Sequence, residues 1–403
     1  MSKLEKSPID SRNAGLRNEL LVLDILRRYA SLSQSQLCRQ AGISSSTASY
    51  IIARLREKNL IIEQVGKSSL RGAKPVTISI NPSGKYVVGV EINPTDILVG
   101  LFDFNCGLIE KIRTAMTKDH SPENTADVLE ITIRGLLGKG GVTENLLAGI
   151  GLTVSGSISK NEIVELSSPM GWKNVPLKAM LQDRFKCPVS LYTTRVRLLA
   201  ESSLDPSLNE KDVLYIHVGN GVGGHAIIDG RLIRGSDNRC GEIGHIVLDP
   251  FGPVCGCGHS GCLEAYISGP ALARKIQKEM DGRSSLKSMI VESDMPDEVI
   301  DKWGKALKDG DSFAGEVLKY AADKLATVAA MAINCYDPQI VMLGGYVCRQ
   351  ATGQFAKAIE ERIGTDVFDN SARHIAIVPA KAGEQALILG SAWAVLKDSA
   401  GAD

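Results

Sequence analysis

The chain carries no net charge: 46 Lys and Arg residues balance 46 Asp and Glu. That balance names no partner by itself, and a DNA-binding module can hide within it if its charge is local. No apolar run approaches the ~18 residues of a membrane span, so no membrane insertion is expected. The opening residues, MSKLEKSPIDSRNAG, lack the apolar core of a secretory signal. A cytoplasmic protein is expected, and in that compartment nine cysteines do not form a disulfide framework. Six of them, Cys38, Cys106, Cys187, Cys240, Cys335 and Cys348, are scattered and read as small buried apolar residues. There is no short-period repeat and no long low-complexity segment. What remains is ordinary soluble globular material, 44% hydrophobic and 23% charged. Its 403 residues exceed one compact core, so two or three domains are expected.

The first of these spans residues 1–82. Leu16, Leu20, Leu23 and Leu26 make an apolar stripe on an opening helix. Ser33 is placed to cap a second helix, which stops at Gly42, and Ser44 or Ser45 to cap a third. The third carries its own stripe, Ala48, Ile51, Ile52 and Leu55. Two helices joined by a short turn containing Gly form a helix–turn–helix. Apolar runs at 60–62 and 76–80 flank a basic tip at 66–74 and read as a hairpin, the wing. A recognition helix enters the major groove through small polar side chains in its first turn. Ser45, Ser46, Thr47 and Ser49 supply them, with Tyr50 and Arg54 further along. Arg71 and Lys74 on the wing tip are placed for phosphates or a minor groove, and Arg12, Arg17, Arg27, Arg28 and Arg39 add charge. Taken singly, the serines are a helix cap and the basic loop a solvated turn. Their order together points to double-stranded DNA, with a protein-binding module as the alternative.

From Tyr86 the texture becomes α/β. VVGVEI, ILVGLFDF and LIEKIRTA read as three consecutive strands, followed by a helix near 123–138 and a strand, LAGIGLTV. VSLY is a strand and VRLLAESSL a helix. VLYIHV opens a second set, in which helices near 263–280, 297–308, 312–335 and 353–363 accompany strands IVMLGG and IAIVPA. A last helix covers about 385–397. Alternating strands and helices argue for α/β layers in two similar halves.

Two clusters carry chemistry. His245, Cys255, Cys257 and Cys262 can complete a tetrahedral Zn2+ shell of one imidazole and three thiolates, with His259 as a competing fourth ligand. Four protein ligands leave no open position, so the metal is expected to be structural. Gly219, Gly221 and Gly224 match the dinucleotide fingerprint in spacing alone. That fingerprint needs a helix directly afterwards, and HAIIDGRLI reads as strand and turn. A hairpin is expected, either structural or with amides that approach an anion.

These residues resemble the ROK family of repressors and sugar kinases. The resemblance rests on Glu242-Ile-Gly-His245 followed by Cys255-Gly-Cys257-Gly-His-Ser-Gly-Cys262-Leu-Glu264, on VGNGVGGHAIIDG, and on YDPQIVMLGG. The helix–turn–helix followed by RGAKPVTISINP is similar to the N-terminal arm of the repressor branch. The resemblance implies a two-lobed actin-like ATPase fold behind the winged domain. Lobe 1 would span 83–200 with the C-terminal helix at about 384–398, and lobe 2 would span 201–383. It also implies that Glu242, His245 and Glu264 contact a sugar, with zinc orienting His245. Two departures bear on activity. Kinases of this family carry Asp-x-Gly-Gly-Thr where this chain has Glu91-Ile92-Asn93-Pro94-Thr95. They also carry Asn-Asp where this chain has Tyr192-Thr193, and threonine cannot act as general base near neutral pH. Ser168 stands where an asparagine is common. The expectation is a homo-oligomeric repressor, dimer or tetramer, with a carbohydrate effector and no kinase activity. The alternatives are an active sugar kinase with a DNA-binding arm, and a repressor controlled by a protein partner.

Overall fold

The computed structural model describes residues 11–65, 76–159, 162–280, 282 and 284–399. The N-terminal module runs α1 (Ser11–Tyr29), β1 (Leu32–Ser33), α2 (Gln34–Ala41), α3 (Ser45–Glu57), β2 (Ile61–Val65) and β3 (Val76–Ile80). Its helix ends follow from local chemistry. Ser33 and Gln36 form a reciprocal capping box at the start of α2. Gly42 ends it at φ 64°, a left-handed conformation costly for any residue with a Cβ. Ser44, not Ser45, caps α3 by accepting from the Thr47 N–H. Ala48, Ile51, Ile52 and Leu55 of α3 are buried, as are Leu37 of α2 and Val22, Leu23, Ile25 and Leu26 of α1. Strands β2 and β3 pair antiparallel, with β1 on the far side of β3. Leu16 and Leu20 are only half-buried, and the position between them that faces inward is Glu19, 2% exposed. The apolar stripe of α1 therefore begins a turn later than the leucine spacing implies.

The next strands are β4 (Tyr86–Ile92), β5 (Asp96–Asp103) and β6 (Leu108–Ala115), followed by α4 (Pro122–Gly140) and β7 (Leu147–Val154). A small sheet follows, β8 (Ser157–Ile158), β9 (Val164–Ser167) and β10 (Trp172–Val175), then α5 (Leu177–Gln182), β11 (Val189–Tyr192) and α6 (Val196–Leu204). The larger sheet has the order β11-β7-β4-β5-β6, antiparallel in its first three strands and parallel in β4-β7-β11.

The remaining elements are β12 (Val213–Val218), β13 (Val222–Ile228), β14 (Arg231–Leu232), α7 (Leu263–Ile267), α8 (Gly269–Glu279), α9 (Leu286–Met289), α10 (Pro296–Lys308), α11 (Ser312–Tyr336), β15 (Ile340–Gly344), α12 (Thr352–Asp366), β16 (Ala376–Pro379) and α13 (Ala386–Ser399). Their sheet has the order β14-β13-β12-β15-β16, again antiparallel in the first three strands and parallel afterwards. Numbered within each half, both sheets read third, second, first, fourth, fifth. The internal similarity expected of the two halves is present at the level of topology.

Contacts divide the chain into two compact units, 1–206 with 384–403, and 207–383. Helix α13 thus belongs with the N-terminal half. It lies so close to the sheet that a Cβ on Gly89 of β4 would stand 1.8 Å from the Ile388 carbonyl oxygen. The winged module is in the same unit. The Arg27 guanidinium of α1 sits 4.9 Å from the Phe104 ring and 5.6 Å from the Trp393 ring of α13. Burial in this aromatic seat depresses its pKa, with Cys106 and Asp24 opposing the shift. Among the described residues, no helix is long and apolar enough to cross a membrane.

Candidate metal centre and DNA-reading helix

The cysteine loop is folded by short-range hydrogen bonds. The Cys255 N–H donates to the His259 carbonyl at 2.7 Å, and the Gly258 N–H returns to the Cys255 carbonyl at 3.0 Å. Isolated bridges join Val247 to Cys262 and Val254 to Ser260. The 3-10 turn Ile243–His245 brings the imidazole to the loop from outside it. The donor atoms of His245, Cys255, Cys257 and Cys262 all lie within 4.8 Å of one another. The Cys255 sulfur is 3.8 Å from His245 Nδ1, and the Cys257 and Cys262 sulfurs are 3.8 Å apart. Bonds of about 2.3 Å to a tetrahedral ion place sulfurs about 3.8 Å apart. The donor set therefore fits a zinc-sized cation in both chemistry and spacing. His259 Nδ1 lies 3.5 Å from Cys257 but is outside the group of four. Burial pushes the Cys255 thiol up to about 12 and raises Cys262, while hydrogen bonds from His259 pull Cys257 down to about 6. Without a cation, burial keeps Cys255 and Cys262 in their neutral thiol form; a bound cation would favour the thiolates and bind with release of their protons.

The carboxylates differ in placement. Glu242 is exposed and begins the turn that carries His245, whose N–H donates to the Glu242 carbonyl at 3.0 Å. Glu264, in the first turn of α7, is half-buried, and its Oε2 accepts from the Val222 N–H at 2.9 Å. Its Oε1 is 3.8 Å from the Cys255 sulfur. Glu264 thus ties the cysteine loop to the glycine hairpin between β12 and β13. A Cβ on Gly221 would meet Glu264 Oε2 at 2.7 Å, so a glycine is needed for the carboxylate to reach that hairpin. As expected, no helix follows Gly224, which lies within β13.

In the other unit, Glu91, Thr153 and Tyr192 stand in register near the carboxyl ends of β4, β7 and β11. The β4–β5 turn is closed by side chains. Asn93 Nδ2 donates to Glu91 Oε1 and to Asp96 Oδ1, both at 3.1 Å, and Asp96 pairs with Arg113. Burial raises the Glu91 pKa, with Arg197 and the Asn93 hydrogen bond opposing. The Tyr192 hydroxyl donates to Asp398 of α13 at 2.9 Å. Thr193 follows at the strand end, half-buried, and Ser168 is exposed in a turn.

On α3, Ser45, Ser46, Ser49 and Tyr50 are exposed and Thr47 is half-buried, so the first turn presents hydroxyls outward. Arg54 is less free. Its Nε lies 2.9 Å from Glu19 Oε1, and its guanidinium is 5.7 Å from the Tyr50 ring. Lys58 reaches the other Glu19 oxygen at 3.2 Å. Sequence reasoning missed Glu19, although a carboxylate between Leu16, Leu20 and Leu23 on one helix face was its signal. Arg71 and Lys74 lie outside the described residues.

Comparison with known proteins agrees with this anatomy. Residues 16–67 match the MarR family and residues 87–398 the ROK family. The xylose repressor of Bacillus spizizenii is 24% identical over 385 residues, covering 94% of this chain and 95% of that one. The DNA-binding transcriptional dual regulator NagC of Escherichia coli K12 is 26% identical over 392 residues, covering 94% and 92%. A crystal structure of a ROK family transcriptional regulator, a homologue of the E. coli MLC protein, superposes with a TM-score of 0.82 at 22% identity over 96% of this chain and 97% of that one. The ROK hexokinase of Thermus thermophilus gives 0.60 at 27% identity, covering 76% and 97%. With a MarR-type winged helix ahead of a domain that fills three quarters of its length, the chain belongs to the ROK family.

Proposed function

We propose that this chain is a transcriptional repressor whose operator affinity is set by a carbohydrate bound in its ROK domain. One observation carries the reading: a winged helix and a ROK domain lie on one chain, and relatives named as repressors align with nearly all of it. Ser45, Ser46, Thr47, Ser49 and Tyr50 face the major groove of a duplex operator, while Arg71 and Lys74 take the phosphates. Arg54 has a supporting role, because Glu19 holds it. Glu242, His245 and Glu264 take sugar hydroxyls. His245, Cys255, Cys257 and Cys262 hold one Zn2+ that fixes the loop and leaves no position open for chemistry. A homo-oligomer, dimer or tetramer, presents paired recognition helices to a palindromic site. The names of the relatives, xylose repressor and N-acetylglucosamine repressor, support an effector among monosaccharides and their derivatives.

Phosphoryl transfer is not part of this reading. Thr193 stands where a carboxylate base is required, and in the β4–β5 turn Pro94 removes a backbone amide that could hold phosphate. The likeness to a hexokinase favours a second reading, a sugar kinase with a DNA-binding arm. One assay separates them. The full chain is titrated onto labelled DNA from upstream of its own coding region, with a panel of free and phosphorylated sugars. ADP formation is followed in parallel with ATP and each sugar. DNA binding that weakens steeply with salt, release by one sugar, and no ADP are expected. Sugar-dependent ADP formation, or no DNA binding, overturns the proposal.

A further inference from the structure

Between the two helices of the DNA-reading motif, one side chain does more than fill space. Gln34, the first residue of α2, is half-buried and directs its amide nitrogen across to α3. Gln34 Nε2 donates to Ser49 Oγ at 2.7 Å and to the Ser45 carbonyl at 3.2 Å, with Ser45 Oγ at 3.4 Å. The Ser49 hydroxyl in turn donates to the same Ser45 carbonyl at 2.9 Å. The orientation of the amide follows from the acceptors. A carbonyl oxygen can only accept, so a flipped Gln34 would set oxygen against oxygen at Ser45. The result is a closed chain: amide to hydroxyl, hydroxyl to carbonyl, amide to carbonyl.

The chain has a consequence for the groove-facing residues. Ser44, Ser46 and Thr47 form a second network at the same helix start, with Ser44 Oγ 2.9 Å from Ser46 Oγ and 2.8 Å from Thr47 Oγ1. These contacts are local to α3 and fix its first turn only against itself. Among the described residues, the hydrogen bonds between side chains of α2 and the body of α3 are those of Gln34. Its loss leaves α3 held by the buried apolar stripe, which resists separation but only weakly resists rotation and sliding. Base-edge hydrogen bonds need donors and acceptors placed to a few tenths of an ångström, whereas phosphate contacts tolerate such shifts.

We infer that Gln34 is a positioning residue for sequence discrimination: through Ser49 and the Ser45 carbonyl it sets the pose of α3 in the groove. The inference rests on the DNA-reading function proposed above. It assigns Gln34 no direct base contact and gives Ser49, on the groove-facing side of α3, a second role as a strut through the hydroxyl that accepts from Gln34 and donates to the Ser45 carbonyl.

The test uses full-length protein and a randomised duplex library, followed by titration of the enriched duplex and a scrambled duplex of equal length. Four proteins are compared: wild type, Gln34→Ala, Ser49→Ala and the double variant. Gln34→Ala is expected to bind scrambled duplex within about twofold of wild type, while its preference for the enriched duplex falls roughly tenfold. Ser49→Ala is expected to show the same altered base preference. The double variant is expected to add little to either, since both remove one chain of contacts. Thermal melts of all four report folding, and a loss of preference at unchanged melting temperature is the signature of positioning. Gln34→Ala with the wild-type preference overturns the inference and leaves the DNA-reading function standing. So do Gln34 and Ser49 effects that multiply in the double variant, which mark independent base contacts. A wild-type protein that enriches no sequence overturns both.

Discussion

At the same point in two sheets of the same topology, the chain builds two unlike turns. Between β4 and β5 the turn is Asn93-Pro94-Thr95, closed over Glu91 and Asp96 by the Asn93 amide. Between β12 and β13 it is Gly219-Asn220-Gly221, and the next backbone N–H, that of Val222, goes to a carboxylate from another element. The first turn satisfies itself with its own side chains. The second depends on Glu264, which depends on the cysteine loop. Topology is thus common property of the two halves, while the chemistry at each strand end is decided by a few side chains. A turn that ties up its own acids is complete without a ligand. A turn held by a remote carboxylate is coupled to whatever moves that carboxylate.

The largest expected difference between the two turns is their response to metal removal. Cys257→Ser, or a chelator, is expected to take the zinc and release Cys255, Cys262 and the start of α7. Losing a structural metal of this kind lowers the melting temperature by roughly 10 °C. Hydrogen exchange read segment by segment should show lost protection at 243–264 and at the glycine hairpin, with 86–103 unchanged. Equal loss in both sheets would break the comparison, and a wild-type protein purified without chelators that contains no zinc would remove the metal altogether.

A smaller effect is expected from Glu264 itself. Glu264→Ala leaves the Val222 N–H without its partner, at a cost of about 1–3 kcal/mol if that group stays buried. Zinc content and operator binding are expected to persist, while the sugar concentration needed to release DNA rises beyond the assay range. An unchanged midpoint would remove Glu264 from the ligand site and leave it as a strut. Gly221→Ala sharpens the point, because its Cβ would meet the same carboxylate at 2.7 Å. It is expected to mimic Glu264→Ala in part, through displacement of the carboxylate.

Much of this frame was legible in the sequence because it is written in local chemistry. Ser33, Gly42 and Ser44 are caps and stops that act within one turn of helix. The apolar strands of both halves announce themselves over six to eight residues. The β8–β10 sheet was not read, since strands of two to four residues such as Ser157–Ile158 offer no alternation to detect. Glu19 was missed for a different reason: a buried carboxylate is explained only by partners far along the chain, here Arg54 and Lys58. The same long range kept His245 and His259 both open as ligands. The 3-10 turn at Ile243–His245 brings one ring into the donor group, and nothing in the spacing of the cysteines encodes that turn.

The smallest effect, and the most specific to the first turn, is a dependence on pH. Burial favours the neutral form of Glu91 and raises its pKa, against the opposing pull of Arg197 and Asn93. The folded state therefore holds this proton more tightly than the unfolded chain does. The stabilisation from Glu91 is full below the ordinary carboxylate range and is lost as pH rises through the raised value. Glu91→Gln removes the titration while keeping the shape of the side chain. Relative to wild type, the variant is expected to gain melting temperature progressively between pH 4 and pH 8, as the wild-type carboxyl is forced to ionise. Gly221→Ala, at the equivalent turn of the other sheet, leaves Glu91 untouched and should displace the melting curve without adding a slope from that carboxyl. Melting temperatures of the three proteins at half-unit pH steps make the measurement. A pH-independent offset for Glu91→Gln would mean that Arg113, Arg197 and Asn93 hold the carboxylate as comfortably as water does. The first turn would then be a salt-bridged surface corner, and its contrast with the glycine hairpin would reduce to shape alone.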